Sequence, residues 1–321
     1  MKIILTGASG FLGREVAQAA ARRGHQVIAL CGAQERPVIG AVRVLPSDLS
    51  EPQSIERLLL DEFPDAIINC AAASTLEACD ANPDLAQRLN VALPQYLAKI
   101  ANHLSARLIH ISTDMVFDGA RGHYAHTDTP APLQLYGETK LAGEKEVLQY
   151  GRTNAVVLRV PLLSGNSADG TRSLHERLLA LWAQGLQAVL FTDEIRQPVS
   201  AGNLADVLVE LCERNTLSGV YHWAGTDALS RYEIGRRIAA HLGLEPDAVV
   251  TPASGAATAP TARRPRDLSL NLHPLQGKLK TRAQAFAEIL SELQVPSQFS
   301  AWHTAATGQR TVRRLVKGVD F

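Results

Sequence analysis

The chain is poor in the residues that mark specialised protein classes. Its four cysteines, Cys31, Cys70, Cys79 and Cys212, are scattered through 321 residues without C-x-x-C spacing. Neither a disulfide framework nor a zinc site is indicated, and no metal is expected. Charge of one sign is also lacking: Lys+Arg and Asp+Glu both number 32. A neutral chain without a dominant basic stripe argues against nucleic acid or an anionic membrane as partner. Two local exceptions, Arg263, Arg264 and Arg266, and then Arg310, Arg313, Arg314 and Lys317, read as solvated surface. Long apolar runs are absent too. Met1-Lys2-Ile3-Ile4-Leu5 turns at once into glycines, too short for a signal peptide, and nothing is long enough to span a bilayer. The cytoplasm is the expected location, and a homodimer the default assembly.

What is present is ordinary in amount and informative in order. Hydrophobic residues make up 46% and charged residues 20%, the composition of a globular protein with one large or two modest domains. Short apolar runs alternate with longer helical patterns through the first half. Strands are expected at Lys2–Thr6, Gln26–Leu30, Asp65–Cys70, Arg107–Ser112 and Ala155–Val160. Helices are expected at Phe11–Arg23, Pro52–Glu62, Asp84–His103 and Tyr136–Tyr150, with Asn82-Pro83 capping the third. That alternation predicts an α/β fold, a Rossmann-like doubly wound parallel sheet, with a smaller mixed α/β substrate domain on the C-terminal side. The sheet domain is expected over 1–163, with 191–215 returning to it, and the substrate region over 164–190 and 216–321. Within that region Ser230–Leu242 reads as a helix, Ser230 capping and Glu233 completing the box. Thr251–Pro260, small residues and proline, reads as a mobile loop.

Thr6-Gly7-Ala8-Ser9-Gly10-Phe11-Leu12-Gly13 follows the first strand and opens the first helix. Glycines there allow a tight turn and close approach of backbone to a pyrophosphate, which then meets the positive end of the helix. The spacing is G-x-x-G-x-x-G. At the end of the second strand an acid would bind the ribose hydroxyls of NAD. Here the strand ends Leu30-Cys31-Gly32, and Arg36 stands just beyond Glu35. NADP, with NADPH preferred and NADH possible, is therefore the expected cofactor, and Arg36 or Arg14 the candidate partner of its 2′-phosphate.

Tyr136 and Lys140 lie one helical turn apart and share a helix face. A nearby ammonium lowers a phenol's pKa and turns it into a usable general acid/base. Ser112-Thr113-Asp114 ends an apolar strand at the sheet edge where ligands bind, so a hydroxyl there can hold a carbonyl oxygen before Tyr136.

TGASGFLG, NCAAA, HISTDMVFDG and YGETKLAGEK occur in the order and rough spacing of an extended short-chain dehydrogenase/reductase. Within that superfamily the chain resembles the dTDP-4-dehydrorhamnose reductases and, equally, the regulatory β subunit of methionine adenosyltransferase. Arg196-Gln197-Pro198, Tyr221–Gly225, Ser230–Glu233 and Arg264-Pro265 are similar to segments of the same group. The resemblance implies that Thr113 binds the substrate carbonyl, that Tyr136 is the general acid, and that Lys140 binds the nicotinamide ribose and depresses the tyrosine pKa. It also implies cofactor contacts from Gly7, Ser9, Gly10, Phe11, Leu12 and Gly13, from Asp48 and Leu49 beside the adenine, and from Ala71, Ala72, Asn90 and Leu162.

The chain departs from the reductases where they carry S-T-D-Y and R-T-S-W-V-Y segments. It has Met115 in the first and Arg159-Val160-Pro161-Leu162-Leu163-Ser164 in the second, which removes two aromatic surfaces for stacking. Met115 also stands where sugar-nucleotide dehydratases have a proton-transferring glutamate, which argues against dehydration. The reading is an NADP-dependent reductase of a small keto substrate, a nucleotide-linked 4-keto-6-deoxy sugar. The alternatives are a non-catalytic NADP-binding regulatory subunit, gripping its partner through Trp302, Phe321 or the basic tail, and a nucleotide-sugar epimerase.

Overall fold

The computed structural model describes residues 1–32, 37–254 and 264–308. Its centre is a seven-stranded parallel sheet. In chain order its first six strands are β1 (Lys2–Thr6), β2 (Gln26–Cys31), β3 (Ala41–Pro46), β4 (Ala66–Asn69), β5 (Arg107–Thr113) and β6 (Ala155–Val160). They lie side by side as β3-β2-β1-β4-β5-β6, and Gly219–His222 adds a seventh, parallel strand beside β6. That last strand falls in the range expected to belong to the substrate region, and it joins the large sheet instead. From β1 the chain builds outward first one way and then the other, leaving a crevice at the carboxyl ends of β1 and β4, where ligands of such sheets bind.

The strands are apolar on both faces because helices cover both. Ile3 and Leu5 face one core with Val27, Ala29 and Ile109, under the helices α1 (Phe11–Arg22) and α8 (Ala201–Glu213). Ile4 faces the other with Ile28, Leu30 and Leu108, under α2 (Glu56–Glu62), α5 (Leu93–Leu104) and α6 (Leu135–Gly151). This period of two is what a strand imposes on its neighbours. A third core joins α7 (Leu174–Trp182), α9 (Arg231–His241) and Phe286–Glu292 into the smaller C-terminal unit. Ser230 and Glu233 form the expected capping box at the start of α9.

Three local expectations change. β3 has no counterpart in the sequence reading: it is a half-exposed edge strand carrying Arg43 and ending in Pro46, so it shows no apolar run. The single helix expected over Asp84–His103 is broken into α4 (Pro83–Gln87), a π-helical turn at Arg88–Ala92, and α5. The cause is Pro94, which has no N–H for the Asn90 carbonyl four residues back and whose ring crowds it. The range read as a mobile loop begins instead with a strand, Val250–Ala253, paired with Ala188–Phe191; residues 255–260 lie outside the described residues. The helix Ser300–Thr307 is packed rather than loose, Trp302 on the third core and the His303 ring bonded to the Leu242 carbonyl. Phe321 and the basic segment Arg310–Lys317 lie outside the described residues. No helix among the described residues is long and apolar enough to cross a membrane.

Candidate active site

A cleft of about 1460 Å³ opens along the carboxyl edge of the sheet and continues under the C-terminal unit. Gly7, Ser9, Gly10, Phe11, Leu12 and Gly13 line one end, with Asp48, Leu49, Ala71, Ala72 and Leu162. Thr113, Tyr136 and Lys140 line its middle. Tyr136 and Lys140 come from the first turns of α6, and Thr113 from the end of β5.

The glycine turn is built for an anion. Gly7 sits at φ +65°, and a Cβ there would lie 2.7 Å from the Ala71 nitrogen. Only glycine lets β1 turn this close to the loop after β4. Gly10 caps α1 with no side-chain bond to the first N–H groups, which stay open for a phosphate at the positive end of a twelve-residue helix. These residues fit a dinucleotide. Asp48 turns its carboxylate to the Ser50 N–H at 3.0 Å and hydroxyl at 2.6 Å, fixing the loop after β3. Arg14 is drawn toward the turn, its Nε donating to the Ser9 carbonyl at 3.2 Å. Arg36 lies outside the described residues.

Asn90 does not line the cleft. It is fully buried in the π turn, and its amide accepts from the Ala73 N–H at 3.0 Å while donating to the Ala73 carbonyl and Thr139 hydroxyl, each at 3.1 Å. It ties the loop after β4 to α6 one residue before Lys140. These bonds hold the loop after β4 against α6.

The electrostatics of the pair also differ from the sequence expectation. Burial pushes the Tyr136 phenol well above its ordinary pKa; a hydrogen bond with Thr113 opposes this and Asp114 adds to it. Lys140 is not among the groups that set it. The lysine is itself buried, which draws it down to about 8 against the upward pull of Glu144. Its Nζ donates to the Ile111 carbonyl at 2.6 Å. Glu144, one turn further along α6, takes a bidentate bond from buried Arg159, with Nη2 to Oε2 at 2.7 Å.

Several site residues carry no role in the sequence reading. Asp114 is buried in the cleft wall, and burial raises its pKa to about 6 while Arg196 resists. Its Oδ1 takes a bond from Thr113 at 3.2 Å, and Oδ2 has no partner among the described residues. Arg172, Arg177, Arg196, Arg231 and Arg264 all line the same cleft, and Arg196 and Arg231 are near enough to act on Asp114. Buried Glu194 stands among them, 2.8 Å from Arg231 and 3.5 Å from both Arg196 and Arg264. Arg264 is exposed, as its neighbours in sequence suggest, but it also lines the cleft, its guanidinium 5.2 Å from the centre of the Phe191 ring. The signal was present in three separate arginine-bearing segments, and only folding brings them together.

A glycine turn feeding α1 at the edge of a parallel sheet marks a Rossmann-like NAD(P)-binding fold, and the reductases among its relatives place the chain among NAD(P)-dependent oxidoreductases of the extended short-chain dehydrogenase/reductase class. The RmlD substrate binding domain model matches residues 1–298. Methionine adenosyltransferase 2 subunit beta of Xenopus laevis is 34% identical over 73% of this chain and 70% of its own. A probable low-salt glycan biosynthesis reductase, Agl14 of Haloferax volcanii, is 30% identical over 92% and 97%. The dTDP-4-dehydrorhamnose reductase of Mycobacterium tuberculosis is 32% identical over 77% and 78%. The fold matches the Bacillus anthracis dTDP-4-dehydrorhamnose reductase solved with NADP, at a TM-score of 0.78 over 90% and 97% of the two chains with 22% identity. The chain belongs to the RmlD substrate-binding domain family.

Proposed function

We propose that this chain is an NADP-preferring reductase of a carbonyl on a nucleotide-linked 4-keto-6-deoxy sugar. The observation that carries this reading is one cleft lined by Thr113, Tyr136 and Lys140 and by five arginines, Arg172, Arg177, Arg196, Arg231 and Arg264. The first set suits a carbonyl, and the second suits a diphosphate, whose oxygens arginine binds in paired fashion. Two of the relatives named above are reductases, in agreement with it.

The glycine turn and the start of α1 hold the pyrophosphate of the cofactor, Asp48 and Leu49 flank its adenine, and Lys140 holds the nicotinamide ribose. Bound NADPH supplies the hydride. Thr113 donates its hydroxyl proton toward the substrate carbonyl oxygen. Tyr136, kept neutral by burial, is in the protonated state that donation requires, and it gives its proton to that oxygen as negative charge develops there. Met115 lines the same wall and moves no proton. The test is oxidation of NADPH by the purified chain with a dTDP-4-keto-6-deoxy sugar. Tight NADPH binding without turnover of any such sugar sinks the reading.

A second reading has its own support. The 34% identity to a methionine adenosyltransferase β subunit, with Met115 and Leu162 in place of aromatics, favours an NADP-binding regulatory subunit. Under it the chain binds NADP and a methionine adenosyltransferase catalytic chain and reduces nothing. Co-elution of the two purified chains, with and without NADP, separates the readings.

A further inference from the structure

A buried polar line runs beneath the cleft across three adjacent strands and ends at Lys140. The Thr6 hydroxyl at the end of β1 lies 2.6 Å from Asn69 Oδ1 at the end of β4. Asn69 Nδ2 lies 3.0 Å from His110 Nδ1 on β5. His110 Nε2 lies 3.5 Å from Lys140 Nζ. Thr6, Asn69, His110 and Lys140 are all buried, so each proton on this line must be met by an acceptor.

The direction of the line follows from its outer end. The Ala71 N–H points at Asn69 Oδ1 from 3.3 Å, and the Thr6 hydroxyl points at the same atom. Two donors on that atom identify it as the amide oxygen, which leaves Nδ2 facing the imidazole. Nδ2 can only donate, so His110 Nδ1 must accept. A neutral imidazole that accepts at one nitrogen carries its proton on the other. His110 is neutral: burial holds its pKa well below the ordinary value, and Lys140 presses in the same direction. Its Nε2–H therefore faces the lysine amine.

We infer that His110 is a positioning residue for Lys140, presenting an N–H to the lysine nitrogen and so favouring the free amine over the ammonium. In its uncharged form the amine can donate to the Ile111 carbonyl and turn its lone pair to His110. An ammonium has no lone pair and would oppose one N–H with another. The other groups facing Lys140 act differently. Glu144 on its own helix, and Cys70 and Cys79 from the loop after β4 and from the helix Leu76–Ala81, favour its charged form. Tyr136, on the same helix, is neutral through burial, and Asp114 lies beyond it. Among the described residues only His110 meets the amine with a donor. The fixed tautomer also couples the lysine to Ala71, because the loop that lines the cofactor end holds the Asn69 amide in place.

The inference concerns Lys140 and not turnover, so its test needs no substrate. In the full chain carrying ¹³C-labelled lysine, the Lys140 signal is assigned by its loss in Lys140→Met and titrated by NMR. His110→Asn keeps an amide near the Nδ1 position and removes the group facing Lys140. The expected result is a Lys140 midpoint raised by about one pH unit, about a tenfold change in its acid dissociation constant. Coincident midpoints, with only a lower melting temperature in the variant, would reduce His110 to a packing residue and overturn the inference. The native chain gives a second reading that survives any failure of the variant to fold. In ¹⁵N-labelled histidine spectra His110 is expected as the Nε2–H tautomer; the Nδ1–H form overturns the inference. Absence of reductase activity would leave both measurements readable and would count against the proposed reaction alone.

Discussion

Gly143 of α6 meets the Asn90 carbonyl so closely that a Cβ on it would lie 2.0 Å from that oxygen. The contact exists because Pro94 leaves this carbonyl without its helical donor and the chain swells into the π turn there. α6 seats against it, and α6 carries Tyr136 and Lys140. Gly143→Ala must push the helix away. We expect a loss of about 2 kcal/mol in stability, read by urea unfolding. Activity should fall through kcat more than through KM, because small displacements of reacting groups cost rate. Unchanged kcat would mean the site tolerates movement of α6.

Tyr136→Phe removes the proton donor and leaves the wall of the cleft intact. We expect kcat to fall at least about a hundredfold while NADPH binding, followed by fluorescence, stays within about twofold of the native value. Because Tyr136 is only half-buried and faces the cleft, the variant should lose little stability in a thermal melt. Residual activity near the native rate would assign proton donation elsewhere.

Asp114 gives a stability signature that depends on pH. Its carboxyl rises from an ordinary 3.8 to about 6 in the folded chain, so the native state holds this proton more tightly than the unfolded state. Between about pH 4 and pH 6 the native state binds more protons, and stability from this group falls as pH rises through that window. The penalty is fully present at pH 7, at about 3 kcal/mol. Asp114→Asn should therefore stabilise the chain at pH 7 and leave it nearly unchanged at pH 4. Equal effects at the two values would show that burial does not hold the acid protonated.

Gly7→Ala tests the anion cradle. With φ at +65° and the Ala71 nitrogen 2.7 Å from the new methyl, the turn must open. NADPH affinity should drop more than about tenfold, well beyond the roughly 1 kcal/mol that the backbone conformation alone costs. Calorimetric titration measures it, and native affinity would place the cofactor elsewhere in the cleft.

Much of this was legible in the residues. β1 and β6 have the bounds expected of them because their apolar runs are bracketed by turns and no other element competes. The capping box of α9 reads straight from Ser230 and Glu233. The glycine turn and Thr113, Tyr136 and Lys140 line one cleft, as their spacing implied. What was not legible depends on contacts made across the chain. β3 is an edge strand and lacks the apolar signature. The break before α5 turns on one proline in an otherwise good helical pattern. Arg196, Arg231 and Arg264 converge only in three dimensions, so the sequence showed Arg264 as exposed but not that it shares Glu194 with the other two. The acidity of Tyr136 was misjudged because pairing with Lys140 was weighed and burial was not.

Glu194 changes what the arginines lining the cleft offer a ligand. Three of them already lean on its carboxylate, so the pocket holds an internal competitor for every anion that enters. A singly charged visitor gains little by displacing it, whereas a group bearing two charges can outbid it. Under the proposed reading the carboxylate works as a threshold that a diphosphate, with its two charges, can cross and a simple carboxylate cannot.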